Sequence, residues 1–534
     1  MILKSSAPGL RSGDRFARLI LSLKGPFVAE TVRGDNPTSS PSAPPVVSRR
    51  AWQALIVLLA GMFMALLDTT IVNVALPTIR TTLDASEGTL SWIISGYALA
   101  FGLALIPAGR VGDRIGHKWV FFTGLALFTV ASLACGLAQN DLQLIIARVV
   151  QGIAGGIFVP AVTAFIQLLF PAQSRGKAFA IMGAVIGVSS ALGPIVGGLI
   201  IEAFGEENGW RLVFGVNLPI GIAALIAAAV LLPNGAEVKA GVSDKKSGID
   251  GVGLLLLSAA LIALLVPLIE GEDQGWPLWT YLTLVAGALL IVAFAFWEIS
   301  YTKRGNSALV PPHLFSHPAF TGGTILALVY FASFTSIFFV ISLLWQAGLG
   351  HTALESGLVS IPFALGSIVG SSQSNRLTAR LGRNVLVIGV ALLSIGLIAV
   401  FILLLTVAGG DLTNWMLLVP LLIAGLGNGL FIAPNAQFIV ATVDRSEAGG
   451  ASGVIGVMQR IGSAVGIAVV GSVLFSGVAN ANIQGPGDVA QAFTDAAAWA
   501  IGLSAALGVV ALVLVFALPK SVSSGHGPAA PPVD

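Results

Sequence analysis

Charge is what this chain has least of. Asp, Glu, Lys and Arg make up only 10% of its 534 residues, against about 25% in ordinary soluble domains. That shortage excludes a water-soluble globular protein. Cysteine is scarcer still. Cys135 stands alone, so no internal disulfide forms and no cysteine metal site is expected. The five histidines, His117, His313, His317, His351 and His526, show no metal-ligand spacing on a helix face. His313 and His317 are four apart, but Pro311, Pro312 and Pro318 place them in a loop. No Gly-x-x-x-x-Gly-Lys-Ser/Thr stretch occurs, so nucleotide binding is not expected. The net charge of +2 is too small to argue for nucleic acid. With no metal cluster and no catalytic triad, an enzyme is not expected either.

Apolar sequence fills the space. Mean hydropathy is +0.92 and 56% of residues are hydrophobic. Segments of about 20 apolar residues recur along the chain, each long enough to cross a bilayer of ~30 Å. Runs of short alternating strands, which a membrane barrel needs, are missing. The expected fold class is therefore an all-α integral membrane protein. Apolar runs between polar breaks give fourteen spans, near 54–76, 89–109, 118–138, 142–165, 177–201, 211–232, 249–269, 279–297, 320–345, 354–374, 384–408, 414–440, 448–475 and 495–518. The first 50 residues carry eight Lys or Arg against three acids, with Ser and Pro clusters and no signal-peptide pattern. They read as a disordered basic tail, in which Phe16 to Leu21 is a candidate interfacial helix. Residues 520–534 read as a second disordered tail.

Orientation follows from the loop cations. With the N-terminus in the cytoplasm, inside loops hold Arg110, Arg114 and Lys118; Arg175 and Lys177; Lys239, Lys245 and Lys246; Lys303 and Arg304; Arg376, Arg380 and Arg383; and Arg445. Outside loops hold only Arg80 and Arg211, with acids such as Glu206, Glu207, Glu270, Glu272 and Asp273. Both termini are expected in the cytoplasm.

A few charges fall inside spans, where a carboxylate costs at least about 2.5–3.5 kcal/mol. Asp68 lies roughly 21 Å from the inner face and Arg148 roughly 9 Å below the outer face, at ~1.5 Å per residue. In a ~30 Å core the two depths coincide, which marks them as partners. Arg460 lies near the midplane of span 13, about 18 Å in.

The loop Gly109-Arg110-Val111-Gly112-Asp113-Arg114-Ile115-Gly116-His117-Lys118 recurs as Asn375-Arg376-Leu377-Thr378-Ala379-Arg380-Leu381-Gly382-Arg383-Asn384, with Ala379 in place of Asp113. Parallel repeats of six spans with two spans inserted between them explain the recurrence. The domains expected are thus a tail at 1–50, a six-helix bundle at 51–233, two inserted helices at 234–305, a second six-helix bundle at 306–519 and a tail at 520–534.

Four motifs carry a family resemblance covering about Ala51 to Pro519. They are Leu67 to Pro77 on span 1, the loop Gly109 to Lys118, Arg148-Val149-Val150-Gln151-Gly152-Ile153-Ala154-Gly155-Gly156 on span 4, and Gly193-Pro194-Ile195-Val196-Gly197-Gly198 on span 5. Trp210 to Pro219 adds to them at the entry to span 6. The chain resembles the fourteen-span drug:proton antiporters of the major facilitator superfamily, in a bacterial cell membrane. The resemblance departs at Ser189, where the family usually has glycine.

The resemblance implies proton coupling at Asp68 and Arg148. It implies a cytoplasmic gate at Gly109, Arg110, Asp113, Arg114, Gly116 and Lys118, and an antiporter motif at Gly193, Pro194, Gly197 and Gly198. It implies two six-helix bundles rocking around a cavity, a small lipophilic and often cationic substrate, the bilayer and protons as partners, and a proton gradient in place of any cofactor. Candidate cavity residues are Asn73, Tyr330, Phe334, Phe338, Asn428, Asn435 and Arg460. Blander readings stay open: Asp68 and Arg148 as a structural ion pair, the loop cations as topological anchors, Arg460 as a ligand of backbone carbonyls, and the aromatics as packing. Rival functions also stay open, namely a dedicated exporter of one metabolite, antibiotic or lipid, or a membrane sensor or scaffold.

Overall fold

A computed structural model describes residues 47–85, 87–233, 250–271, 274–306, 308–441, 443–444, 447–481 and 485–519. The two expected tails up to residue 46 and from 520, the candidate helix at Phe16 to Leu21, Lys239, Lys245, Lys246, Glu272, Asp273 and Arg445 lie outside the described residues.

Among the described residues, fourteen helices are long and apolar enough to cross a membrane. They are α1 (Arg49–Leu76), α2 (Trp92–Ile115), α3 (His117–Gly136), α4 (Asp141–Leu169), α5 (Ser174–Gly205), α6 (Glu207–Leu231), α7 (Gly251–Leu268), α8 (Leu278–Lys303), α9 (Pro318–Gly348), α10 (Leu354–Leu381), α11 (Asn384–Thr406), α12 (Asn414–Val440), α13 (Ala448–Ala479) and α14 (Asp488–Val515). Helices form because hydrocarbon offers no partner to backbone N–H and C=O groups, so each span must satisfy its own. Between α5 and α6 the connection shrinks to one kink at Gly205, whose φ of 76° suits a residue without Cβ.

Side chains close the helix ends. Ser48 accepts from Ala51 N–H at the start of α1, and Asn140 from Gln143 N–H at the start of α4. Thr352 and Glu355 form a capping box at α10. Loop cations take carbonyls left over at the C-terminal ends of neighbouring helices. Lys118 reaches Ala229 and Leu232 at the end of α6, Arg175 reaches Gln167 and Phe170 at the end of α4, Arg211 reaches Gly136 and Ala138 at the end of α3, and Arg383 reaches Phe516 and Leu518 just past α14. The repeat shows in the backbone as well: Gly116 and Gly382, at matching places in the two loops, both have positive φ, 105° and 54°.

Helices α1–α6 pack with one another, as do α9–α14, and two seams join the sets. One runs between α5 and α10, where Gly183 and Gly187 let Ser371 and Ser367 approach. The other runs between α2 and α13, where Gly109 meets Gly449 backbone to backbone and Gly453 meets Ile106. The inserted helix α7 packs where α2 and α13 meet, placing Leu265 against Gly102, and Trp276 Nε1 donates to Ser472 Oγ at 3.1 Å. Helix α8 leans on α7 and leaves most of its surface exposed.

Candidate functional site

Asp68 is fully enclosed, and four helices enclose it. Its Oδ2 accepts from Arg148 Nη1 at 2.5 Å, while Oδ1 accepts from Gln151 Nε2 at 3.0 Å and from Asn217 Nδ2 at 2.8 Å. Ser132 of α3 ties the ring together, accepting from Gln151 at 3.1 Å and Asn217 at 2.8 Å and donating to the carbonyl of Phe214 at 2.9 Å. Arg148 also donates to Gln151 Oε1 at 2.7 Å and to Ile93 carbonyl at 3.2 Å. Its guanidinium lies 4.1 Å from the ring centre of Tyr97, whose hydroxyl donates to the carbonyl of Ala65.

A buried ion pair holds only when geometry is good and leftover lone pairs and protons find partners; here every polar neighbour is used. The sequence brought Asp68 and Arg148 together correctly. It assigned no role to Ser132, Asn217 or Tyr97, because single polar residues in apolar spans carry no pattern that links them. Buried Cys135 sits beside the ring with Sγ 3.5 Å from Gln151 Oε1.

The glycines of the antiporter motif are spacers between helices. A Cβ on Gly193 would overlap Thr70 and the backbone N–H of Ile71, and one on Gly197 would press on Ile71 at 3.0 Å. On the other face of α5, Gly198 meets Leu354 and Pro194 meets Gly357 of α10. The motif therefore sits between α1, which carries Asp68, and the second bundle. Ser189 is small, buried and bonded back to Val185 and Ile186, so the departure from glycine is absorbed within α5.

The expected gate divides. Asp113 accepts from the backbone N–H groups of Gly449 at 2.9 Å and Gly450 at 3.0 Å, the open N-terminus of α13, and His117 Nε2 lies 3.2 Å away. A carboxylate at a helix N-terminus is held by unpaired N–H groups and by the helix dipole. Gly109 permits the approach, because a Cβ there would strike the Gly449 carbonyl. Arg110 comes only within 3.9 Å of Asp113, and its hydrogen bonds go to the carbonyls of Ala308 at 2.5 Å and Leu309 at 2.6 Å, between α8 and α9. Buried Glu298 of α8 accepts from Val310 N–H at 3.0 Å, so the same segment is gripped twice. Arg114 is exposed and makes no hydrogen bond or ion pair among the described residues. Gly116 turns the chain. Lys118 closes α6 instead of joining the latch, since free carbonyls lie within its reach there.

The residues expected around a cavity differ in burial. Tyr330 and Asn428 are fully buried and bonded to each other at 2.9 Å, Asn428 donates to Ser367 at 3.0 Å, and the Tyr330 ring stacks on Phe431 at 3.7 Å. Phe334 is buried against Tyr330 and Phe363, and half-buried Phe338 against Phe334 and Phe363. Buried Asn435 donates to the Gly323 carbonyl at 3.3 Å. In this conformation these residues pack within the second bundle, and the buried Oδ1 of Asn435 has no hydrogen-bond partner among the described residues. Asn73 is exposed on α1. Arg460 remains: its guanidinium lies 4.2 Å from the Phe101 ring centre.

The Major Facilitator Superfamily family model matches residues 58–467 and 323–532. The "Probable actinorhodin transporter" of Streptomyces coelicolor is 37% identical over 83% of this chain and 75% of its own. The "Tetracenomycin C resistance and export protein" of Streptomyces glaucescens is 32% identical over 80% and 77%. Among solved structures, the human organic anion transporter MFSD10 superposes with a TM-score of 0.60 at 15% identity, over 89% of this chain and 100% of that one, a likeness of fold alone. The chain belongs to the major facilitator superfamily, a multi-pass membrane transporter and not an enzyme.

Proposed function

We propose that this protein is a proton-coupled antiporter that exports lipophilic, antibiotic-type compounds by alternating access. One observation carries the reading: a buried carboxylate on a candidate membrane span held by a guanidinium and two amides. Such a pair is costly to keep dry and releases or takes a proton when its partners separate. The motif between α1 and α10 supplies the means, because sliding α5 moves the helix that carries Asp68. The conformation described is latched at the Asp113 end. Loop cations assign that end to the cytoplasm, with both termini inside a bacterial cell membrane. Asp68 would then load from outside and discharge inside as the latch opens.

The relatives' names favour a narrow substrate range as a second reading, since each is named for a single antibiotic. The test is an imposed proton gradient across proteoliposomes. It should drive accumulation of at least one lipophilic compound against its concentration gradient, and a protonophore should abolish it. Accumulation that ignores the protonophore would defeat proton coupling. A panel of unrelated antibiotics separates broad from single-compound export.

A further inference from the structure

Arg460 stands twelve residues into α13, near the middle of a 32-residue helix. Among the described residues no carboxylate, carbonyl or side-chain oxygen accepts a hydrogen bond from it. The other deep cation, Arg148, has Asp68, Gln151 and the Ile93 carbonyl. Arg460 has only the face of Phe101. Stacking on a ring occupies one face of the guanidinium plane and leaves its N–H edges free, the geometry that takes a carboxylate through two parallel bonds.

Its position matters as much as its isolation. Along the seam between α2 and α13, Gly109 meets Gly449, Ile106 meets Gly453, Leu105 meets Gly456, and Phe101 meets Arg460. On α13 each step is about one helical turn, so Arg460 and Phe101 form the layer of these four farthest from the Asp113 latch. The cation thus faces the other half of the transporter at mid-depth. The three deep charges are Asp68 (−1), Arg148 (+1) and Arg460 (+1), which sum to +1. Asp68 cannot serve both arginines, because its oxygens are already taken by Arg148, Gln151 and Asn217.

We propose that Arg460 is the charge-recognition group of the substrate site and that it selects organic anions, those carrying a carboxylate or phenolate. Phe101, itself buried, backs the guanidinium from one side. This inference rests on reading the chain as an exporter, and it reverses the charge that the family resemblance suggests for the cargo. It also predicts an electrical signature. Exchanging one proton inward for one monoanion outward carries two positive charges in, so an inside-negative potential accelerates export. The same exchange for a monocation is electrically silent.

The test uses three fluorescent probes with one ring system: anthracene-9-carboxylate, its primary amide and 9-(aminomethyl)anthracene. Binding to the full-length protein is measured in phosphatidylcholine nanodiscs. Wild type should prefer the carboxylate over the ammonium by at least about tenfold, Arg460→Gln should abolish that preference, and Arg460→Lys should retain much of it. Thermal unfolding of each variant separates misfolding from charge loss. A preference for the ammonium, unchanged carboxylate affinity in folded Arg460→Gln, or no binding of any probe overturns the anion site. Proton-driven accumulation of another compound, persisting alongside such a result, leaves the exporter reading intact. Loss of all proton-linked flux in wild type overturns both.

Discussion

The two bundles treat buried polarity in opposite ways. In α1–α6 a full charge pair is buried and spends three donor side chains from two helices, α4 and α6, on one carboxylate. In α9–α14 the hydrogen-bonded deep groups are neutral and joined in short chains, Tyr330 to Asn428 to Ser367, Ser336 to Ser504, Thr335 to Ser463, and the one deep charge named there, Arg460, has a ring face in place of a carboxylate. The loops differ in the same sense, for Asp113 latches onto α13 while its counterpart is Ala379. One bundle holds a group whose charge can change; the other holds shape. Transport by this account needs both, since a proton-responsive half must push against a half that keeps its form.

Asp68→Asn should break the comparison most severely. Proton-linked export should vanish while the protein still folds, because the amide fills the same space. Leaving Arg148 buried without its carboxylate costs about 3–5 kcal/mol, so the unfolding temperature should drop. Adding Arg148→Gln should restore much of the stability and none of the export. A double variant that exports with proton coupling would show the pair to be structural only. Gly109→Val comes next. It forces α2 away from the Gly449 carbonyl, and overpacking of about 1–3 kcal/mol should depopulate the latched conformation, seen as a lower export rate at saturating substrate. Asp113→Asn should slow turnover several-fold, since charge-assisted bonds are roughly twice as strong as neutral ones, with little change in substrate binding. Lost binding at an unchanged rate would contradict the latch. The smallest effect belongs to the second bundle. Tyr330→Phe removes one neutral hydrogen bond, about 0.5–1.5 kcal/mol, and should lower the unfolding temperature slightly while export changes by less than about twofold.

Much of this architecture was legible because membrane helices are written in composition: fourteen apolar runs became fourteen spans. Asp68 and Arg148 were legible because charge in hydrocarbon is costly and their depths matched. The rest depended on contacts that no local pattern encodes. Arg110 meets carbonyls about 200 positions away, and Asp113 meets N–H groups more than 300 positions away. Tyr330 and Asn428 are bonded to each other in this conformation, a contact the sequence does not encode, because a polar residue at bundle depth satisfies itself equally well against water or against another polar side chain. Lys118 was assigned to the gate with its loop, yet the carbonyls ending α6 lie nearer.

The most direct measurement is proton movement across proteoliposomes on addition of a transported compound, in wild type and in Asp68→Asn. The account predicts a substrate-dependent proton flux in wild type that is absent in the folded variant. An equal flux in both would contradict it, and would return Asp68 and Arg148 to a structural ion pair.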